Sequence, residues 1–427
     1  MVALLSRRSS GRILFALLAL AAGIVVAGCG SSSSSSSGAS GSSSGSAKSD
    51  TKGLSGKPVV FGTILPVNSP LYSLPDATKM VTVAEDAVNA AGGIHGRPMK
   101  VIACDDQDNP TMDTQCAQKI VNAGALAFLA ENSFGQSGTW SVVDKSKVPM
   151  IGNSPSSPGD LTDPLSFPGT AGLCTDATVG GTVPPGTKRA VFITGPPPLG
   201  DPIYDCARRS AAAKGIPLSR VSAALTELDF NPTILAAEKL HPDVIIIITQ
   251  PQQTLQAINA EGQLGYKTPM LVGQGTWNQQ VLQAAKKFRI PIYGNLVITQ
   301  DPTLAPGRAQ LDAEVQKYGS SLGIQDPNSD AATLVWIWIH QAAKIANAIP
   351  ASQLSSQAIV NYLKSGATID TGGLLYPFSF KTAGQIKQFP RLFYDYARPG
   401  KFDFATDKWV QTSPTWVNGF ALLNGGT

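Results

Sequence analysis

At 427 residues, with 43% hydrophobic and 15% charged side chains, the chain is long enough for two domains with their own cores and too apolar to be disordered throughout. The formal charge of +4 counts Arg7, Arg8 and Arg12, which lie in a segment expected to be removed, so the remainder is nearly neutral. That argues against nucleic acid as a partner and leaves no polybasic patch for a membrane surface.

The N-terminus speaks to the compartment. Arg7 and Arg8 form a basic start, Ile13 to Val26 an apolar stretch, and Val26-Ala27-Gly28-Cys29 a run of small residues ending on cysteine. This resembles the lipobox of bacterial lipoproteins, implying a signal peptide over 1–28 and a diacylglycerol on Cys29. An uncleaved membrane anchor is the alternative, although the apolar stretch is short for a span of about 20 residues. Both readings put the body of the protein outside the cytoplasm, lipid-anchored to the cell membrane in the first. Residues 29–55 are nearly all Ser and Gly and read as a tether with an end-to-end distance of roughly 25–30 Å.

From Val59 onward strand and helix patterns alternate. Apolar runs predict strands at 59–65, 99–103, 125–130, 149–152, 189–194, 244–249, 270–273 and 293–298. Helical spacing lies between them, at 79–91, 111–123, 137–146, 201–214, 231–240, 252–263 and 276–287. Val244 to Ile248 is apolar at every position, as a strand covered by helices on both faces must be. The fold class is α/β, with doubly wound parallel sheets. Pauses in the alternation near 165–173 and 294–306 divide it into two lobes, 56–168 with 298–380 and 169–297 with 381–427. Further helices are expected at 307–319, 328–349 and 355–364, followed by an aromatic-rich, strand-like segment from Gly372. The 328–349 helix is interrupted by His340, Gln341, Lys344 and Asn347, which favours a buried core helix over a membrane span.

Four cysteines besides Cys29 suggest two disulfides, for which three pairings exist. Local pairs are favoured: Cys104 ends a strand and Cys116 lies in the next helix, while Cys174 and Cys206 both fall in the second lobe. Zinc is the alternative use, but there is no CxxC and His95, His241 and His340 are scattered. No cofactor or metal is expected.

The stretch Asn89 to Pro110 carries the strongest local signals. Gly92-Gly93 suits a helix end, residues 98–103 a strand, and Asn109-Pro110 an N-cap with its first helical residue. With Gly62-Thr-Ile-Leu-Pro66, Asp105-Asp106 and a helix bearing Ala117, Lys119, Ile120 and Val121, it resembles the lipoprotein form of the type I periplasmic binding proteins of ABC importers, in the branched-chain amino acid and amide class. Weaker similarity runs through Ile151-Gly-Asn-Ser-Pro155 and the long helix near 340. The resemblance implies two lobes joined by a three-strand hinge, a monomer that closes on a small-molecule ligand, and an ABC permease as partner. A ligand-sensing lipoprotein feeding a receptor has the same features and stays open.

Helix N-termini and strand ends converge on a crevice in such sheets, so candidate ligand contacts lie just after strands. They are Tyr72, Asn132, Ser133, Asn153, Ser154, Ser156, Leu199, Gln250, Gln274 and Trp277. By resemblance, Ser133 and the 153–156 loop fall where relatives hold a carboxylate or amide, and Tyr72 packs over the ligand. The chain has Leu199 where relatives often carry an aromatic residue and Gln274 where they often carry glutamate. A neutral amide makes no charge-assisted bond to an ammonium, so the expected ligand is an amide, a carboxylate or an aromatic compound rather than an ordinary amino acid, with Trp277, Phe134 or Tyr72 stacking on it. Asp105, Asp106 and Asp108 are expected to brace the first lobe away from the ligand. They lack the sixth-position glycine of a calcium loop. The one G-x-S-x-G string, Gly41 to Gly45, lies in the tether, and no catalytic constellation stands out, so an exported enzyme is the least favoured reading.

Overall fold

The apolar run Val59–Ile64 (β1) is paired on both sides, parallel to Met99–Cys104 (β2) over six residues and to Phe128–Leu129 (β3) at Gly62. These coordinates are a computed structural model that describes residues 53–424 apart from 70–71, 173–176, 199, 225, 274, 382–385 and 388. The expected leader, Cys29, almost all of the tether, Cys174, Leu199 and Gln274 lie outside the described residues. Met150–Ile151 (β4) and Ser166–Phe167 (β5) complete a parallel sheet of order β2-β1-β3-β4-β5. Pro75–Ala90 (α1), Pro110–Asn122 (α2), Trp140–Ser146 (α3) and the short Pro158–Thr162 (α4) form the crossovers.

After Thr178–Gly181 (α5) the pattern restarts. Ala190–Thr194 (β6), Leu218–Ser222 (β7), Val244–Ile247 (β8), Met270–Val272 (β9) and Ile292–Leu296 (β10) are parallel in the order β7-β6-β8-β9-β10, the same winding as the first sheet. Asp201–Ala213 (α6), Asn231–Glu238 (α7), Pro251–Gln263 (α8) and Gln279–Phe288 (α9) connect them. The chain then returns to the first core through Val297 and Ile298 and builds Pro306–Tyr318 (α10), Asp330–Ala348 (α11) and Ser356–Lys364 (α12) there, with the small hairpin Thr368–Ile369 (β11) and Phe378–Ser379 (β12). Phe393 and Tyr394 still pack in that core before Tyr396–Asp403 (β13) joins β10, followed by Lys408–Gln411 (β14), Val417–Asn418 (β15) and Gly419–Leu423 (α13). β13 and β14 run antiparallel, so the second sheet is mixed where an all-parallel one was expected.

The Asn89–Pro110 stretch folds for legible reasons. The Asn89 side chain, 2% exposed, accepts from the Met99 N–H at 2.7 Å and donates to the Met99 carbonyl at 3.1 Å, tying the end of α1 to the start of β2. Asn109 caps α2 by accepting from Thr111 and Met112 N–H groups at 2.9 and 3.2 Å. Cys104 and Cys116 form a disulfide, with Cα atoms 5.6 Å apart. Cys206 is buried on α6, and its expected partner Cys174 lies outside the described residues.

Helix α11 is buried along nearly its whole length, packed on α1. No described helix is long and apolar enough to cross a membrane. Trp338 lies against Gly152 and Gly169, where a Cβ would sit 2.1 and 2.5 Å from ring atoms. Gly152 also has φ +75°, so the residue just after β4 must be glycine for both reasons.

Candidate functional site

A sheet of order 2-1-3-4-5 opens a crevice where the winding reverses, between β1 and β3 in the first lobe and between β6 and β8 in the second. The two openings face each other. Their loops line a cleft of about 640 Å³ including the open solvent at its mouth. The first lobe supplies Tyr72 after β1, Asn132, Ser133 and Phe134 after β3, and Ser154, Pro155 and Ser156 after β4. The second supplies Thr249 and Gln250 after β8 and Gly275 after β9. Asp330, the first residue of α11, closes the ring. A hydrogen bond from the Gly275 N–H to Asp330 Oδ2, 3.2 Å, crosses between the lobes.

Six residues singled out in the sequence line this cleft: Tyr72, Asn132, Ser133, Ser154, Ser156 and Gln250. Two others do not. Asn153 is fully buried and donates to Asp160 Oδ1 at 2.8 Å, so its amide is part of the scaffold. Trp277 is 8% exposed and packs edge-on against Trp409, centroids 5.2 Å apart, in the second-lobe core; the apolar face of α9 draws it inward, away from any stacking role.

The serines face the cleft, but their polar groups are largely engaged within the lobe. Ser133 Oγ donates to the carboxylate of Asp106 and accepts from the Gly135 N–H at 2.9 Å. Ser156 Oγ donates to the Ser133 carbonyl at 2.7 Å, and its N–H goes to Asp160. The Ser154 N–H donates to the Glu131 carbonyl at 3.0 Å. Behind these loops sits a set of buried carboxylates. Asp106 is fully buried, and burial raises its pKa. Asp108 Oδ1 accepts from the Phe134 N–H at 3.1 Å, and Asp108 Oδ2 from Ser69 Oγ at 2.7 Å. Asp113 takes the Thr139 N–H and hydroxyl, and burial pushes it up to about 7. Glu131, also fully buried, is driven well above the usual carboxylate range by burial and then by the Asp113 charge. The aspartates expected to stand apart from the ligand therefore hold the site loops, because a loop that turns inward must find buried acceptors for its N–H groups.

What remains free to meet a solute is smaller. The Tyr72 and Phe134 rings form an edge pair with centroids 5.6 Å apart, and Asn132 Nδ2 reaches the Tyr72 hydroxyl at 3.4 Å. The Gln250 side chain has no hydrogen-bond partner among the described residues. Sequence reasoning missed Thr249 and Asp330. Thr249 is the last residue of the strand expected at 244–249 and was findable; Asp330 opens a helix more than 250 residues from the first lobe's start and carried no local signal.

No curated protein matches this sequence significantly. Solved structures do match in fold. A fatty acid ABC transporter substrate-binding protein from Thermomonospora curvata aligns at a TM-score of 0.70 and 17% identity, covering 86% of this chain and 95% of that one. A branched-chain amino acid transporter substrate-binding protein from Streptococcus pneumoniae, in complex with isoleucine, aligns at 0.65 and 18%, covering 83% and 100%. A leucine-binding protein from Thermotoga maritima aligns at 0.62 and 14%, covering 84% and 99%. These are substrate-binding proteins, not enzymes. The periplasmic binding protein family model matches residues 58–390, more than three quarters of the sequence, and the chain belongs to that family.

Proposed function

We propose that this protein is an extracytoplasmic, lipid-anchored receptor that captures a small polar solute between its lobes and delivers it to an ABC importer. The observation that carries the reading is the cleft itself, lined from facing switch points of two like-wound sheets and spanned by the Gly275–Asp330 contact. A ligand bonded to both rims favours the closed form by its differential affinity for it, and closure then presents a surface to a permease. The Val26-Ala27-Gly28-Cys29 run and the Ser/Gly segment after it support anchoring through Cys29.

A thermal-shift screen against amino acids, amides, short carboxylates and aromatic acids tests capture, since a ligand that binds only the folded form raises its melting temperature. A melting curve unmoved by every class would overturn the reading. Cross-linking the lobes shut is expected to abolish uptake in cells, and incorporation of radiolabelled palmitate that is lost in Cys29→Ala checks the anchor.

A further inference from the structure

Asp330 is the one formally charged side chain among the described residues lining the cleft, and no lysine or arginine lines it. It is 9% exposed. One oxygen, Oδ2, accepts from the Gly275 N–H at 3.2 Å; the other has no hydrogen-bond partner among the described residues. The guanidinium whose charge reaches it, Arg308, is 2% exposed and makes no hydrogen bond to it; its terminal nitrogens donate to Asn328 Oδ1 at 2.8 Å, the Thr299 carbonyl at 3.3 Å and Gln300 Oε1 at 3.2 Å. Burial, reinforced by Asp326, pushes the Asp330 carboxyl up to about 7 against the opposing pull of the Gly275 N–H and of Arg308. Beside it are two aromatic rings. A Cβ on Gly275 would lie 3.5 Å from the Tyr72 hydroxyl, which places that phenol next to the Asp330 contact, and Phe134 packs on Tyr72. A carboxylate with a free oxygen, in a cleft that also holds two aromatic rings, is the chemistry that holds an organic ammonium, through a charge-assisted hydrogen bond and ring attraction.

Resting on the reading of this cleft as a solute site, we infer that its ligand is a small organic cation whose charged nitrogen lies against Asp330, with the same carboxylate latching the second lobe through Gly275. The ligand thereby completes a junction that both lobes share, and charge decides which solutes close it.

The test uses the folded chain and pairs of compounds that differ in the cationic group alone, titrated by calorimetry: choline with 3,3-dimethyl-1-butanol, 2-phenylethylamine with 2-phenylethanol, and 4-aminobutanoate with 4-hydroxybutanoate. At least one amine is expected to bind about 10- to 100-fold more tightly than its alcohol, and Asp330→Asn, which keeps an acceptor for the Gly275 N–H, is expected to erase that preference. Because the wild-type ratio is itself diagnostic, the inference stays falsifiable if the variant folds poorly. Equal binding of amine and alcohol, or a preference that survives in Asp330→Asn, would overturn the inference. If uncharged or anionic compounds from the broader screen bind while all amines fail, the inference falls and the capture reading stands. If nothing in either set binds, both fall.

Discussion

The two rims of the cleft are built differently although their sheets are wound alike. On the first-lobe rim, Asp106, Asp108, Asp113 and Asp160 accept from Ser133, Phe134, Thr139, Ser156 and Ser157, so the loops after β3 and β4 are fastened from behind by carboxylates of which all but Asp108 are fully buried. On the second-lobe rim, Thr249 Oγ1 meets Thr254 Oγ1 at 3.2 Å, the Gln250 side chain has no hydrogen-bond partner among the described residues, and Gly275 is held by Asp330 of α11. One rim is preorganised before a ligand arrives. The other is held within its lobe by Thr276, which bonds both the N–H and the carbonyl of Gly273 at 2.9 Å, and adds the Gly275–Asp330 bond across the cleft, which suits a site whose closed state the ligand must select.

The largest expected effect tests the rigid rim. Gly152→Ala puts a Cβ into the Trp338 ring at a left-handed φ and is expected to cost about 3 kcal/mol or more by urea unfolding; a loss below about 1 kcal/mol would mean the β4 end yields easily. Next, Ser133→Ala removes a donor from fully buried Asp106 and is expected to cost about 1–3 kcal/mol.

A pH series sharpens the contrast. Asp113 and Glu131 both have folded pKa values above their unfolded ones, so the native state holds more protons than the unfolded chain from about pH 4 upward. Their contribution to stability is complete below that range and is lost as pH rises through about 7. Unfolding midpoints are therefore expected to fall between pH 5 and 8, and Asp113→Asn to flatten part of that slope by about 1 kcal/mol or more. Glu261 in the second lobe, pushed up to about 8 by burial and then by Glu238, contributes a similar slope that Asp113→Asn leaves in place. The smallest effect belongs to the open rim. Gln250→Ala is expected to change stability by less than about 0.5 kcal/mol while weakening any solute that bridges the lobes, and a large loss of stability there would erase the distinction between the rims.

Much of this was legible in local pattern. Continuous apolar runs such as Val244–Ile247 announced parallel strands, Asn109-Pro110 announced the start of α2, and the strand-end rule led to Ser133, Ser154 and Gln250, all of which face the cleft. The edge strand β7 and the antiparallel β13 were not legible, because Leu218–Ser222 is polar at three of its five positions and the direction of β13 depends on which edge is left open. Trp277 shows the same limit in a side chain: its place after a strand suggested stacking on a ligand, whereas Trp409, more than a hundred residues on, claims it for the core.

The sequence by itself determined the alternation of strand and helix, the two-lobed α/β class, and the loops where a solute site had to lie, since periodicity, caps and strand ends are properties of neighbouring residues. Tertiary structure alone decided which polar groups those loops leave free. The serines bond inward because buried carboxylates after β2 and on α4 stand behind them, and Asp330 reaches the cleft only because α11 packs back onto α1 and delivers its first turn to the second lobe. Such outcomes depend on contacts between residues far apart in the chain, which no local pattern encodes.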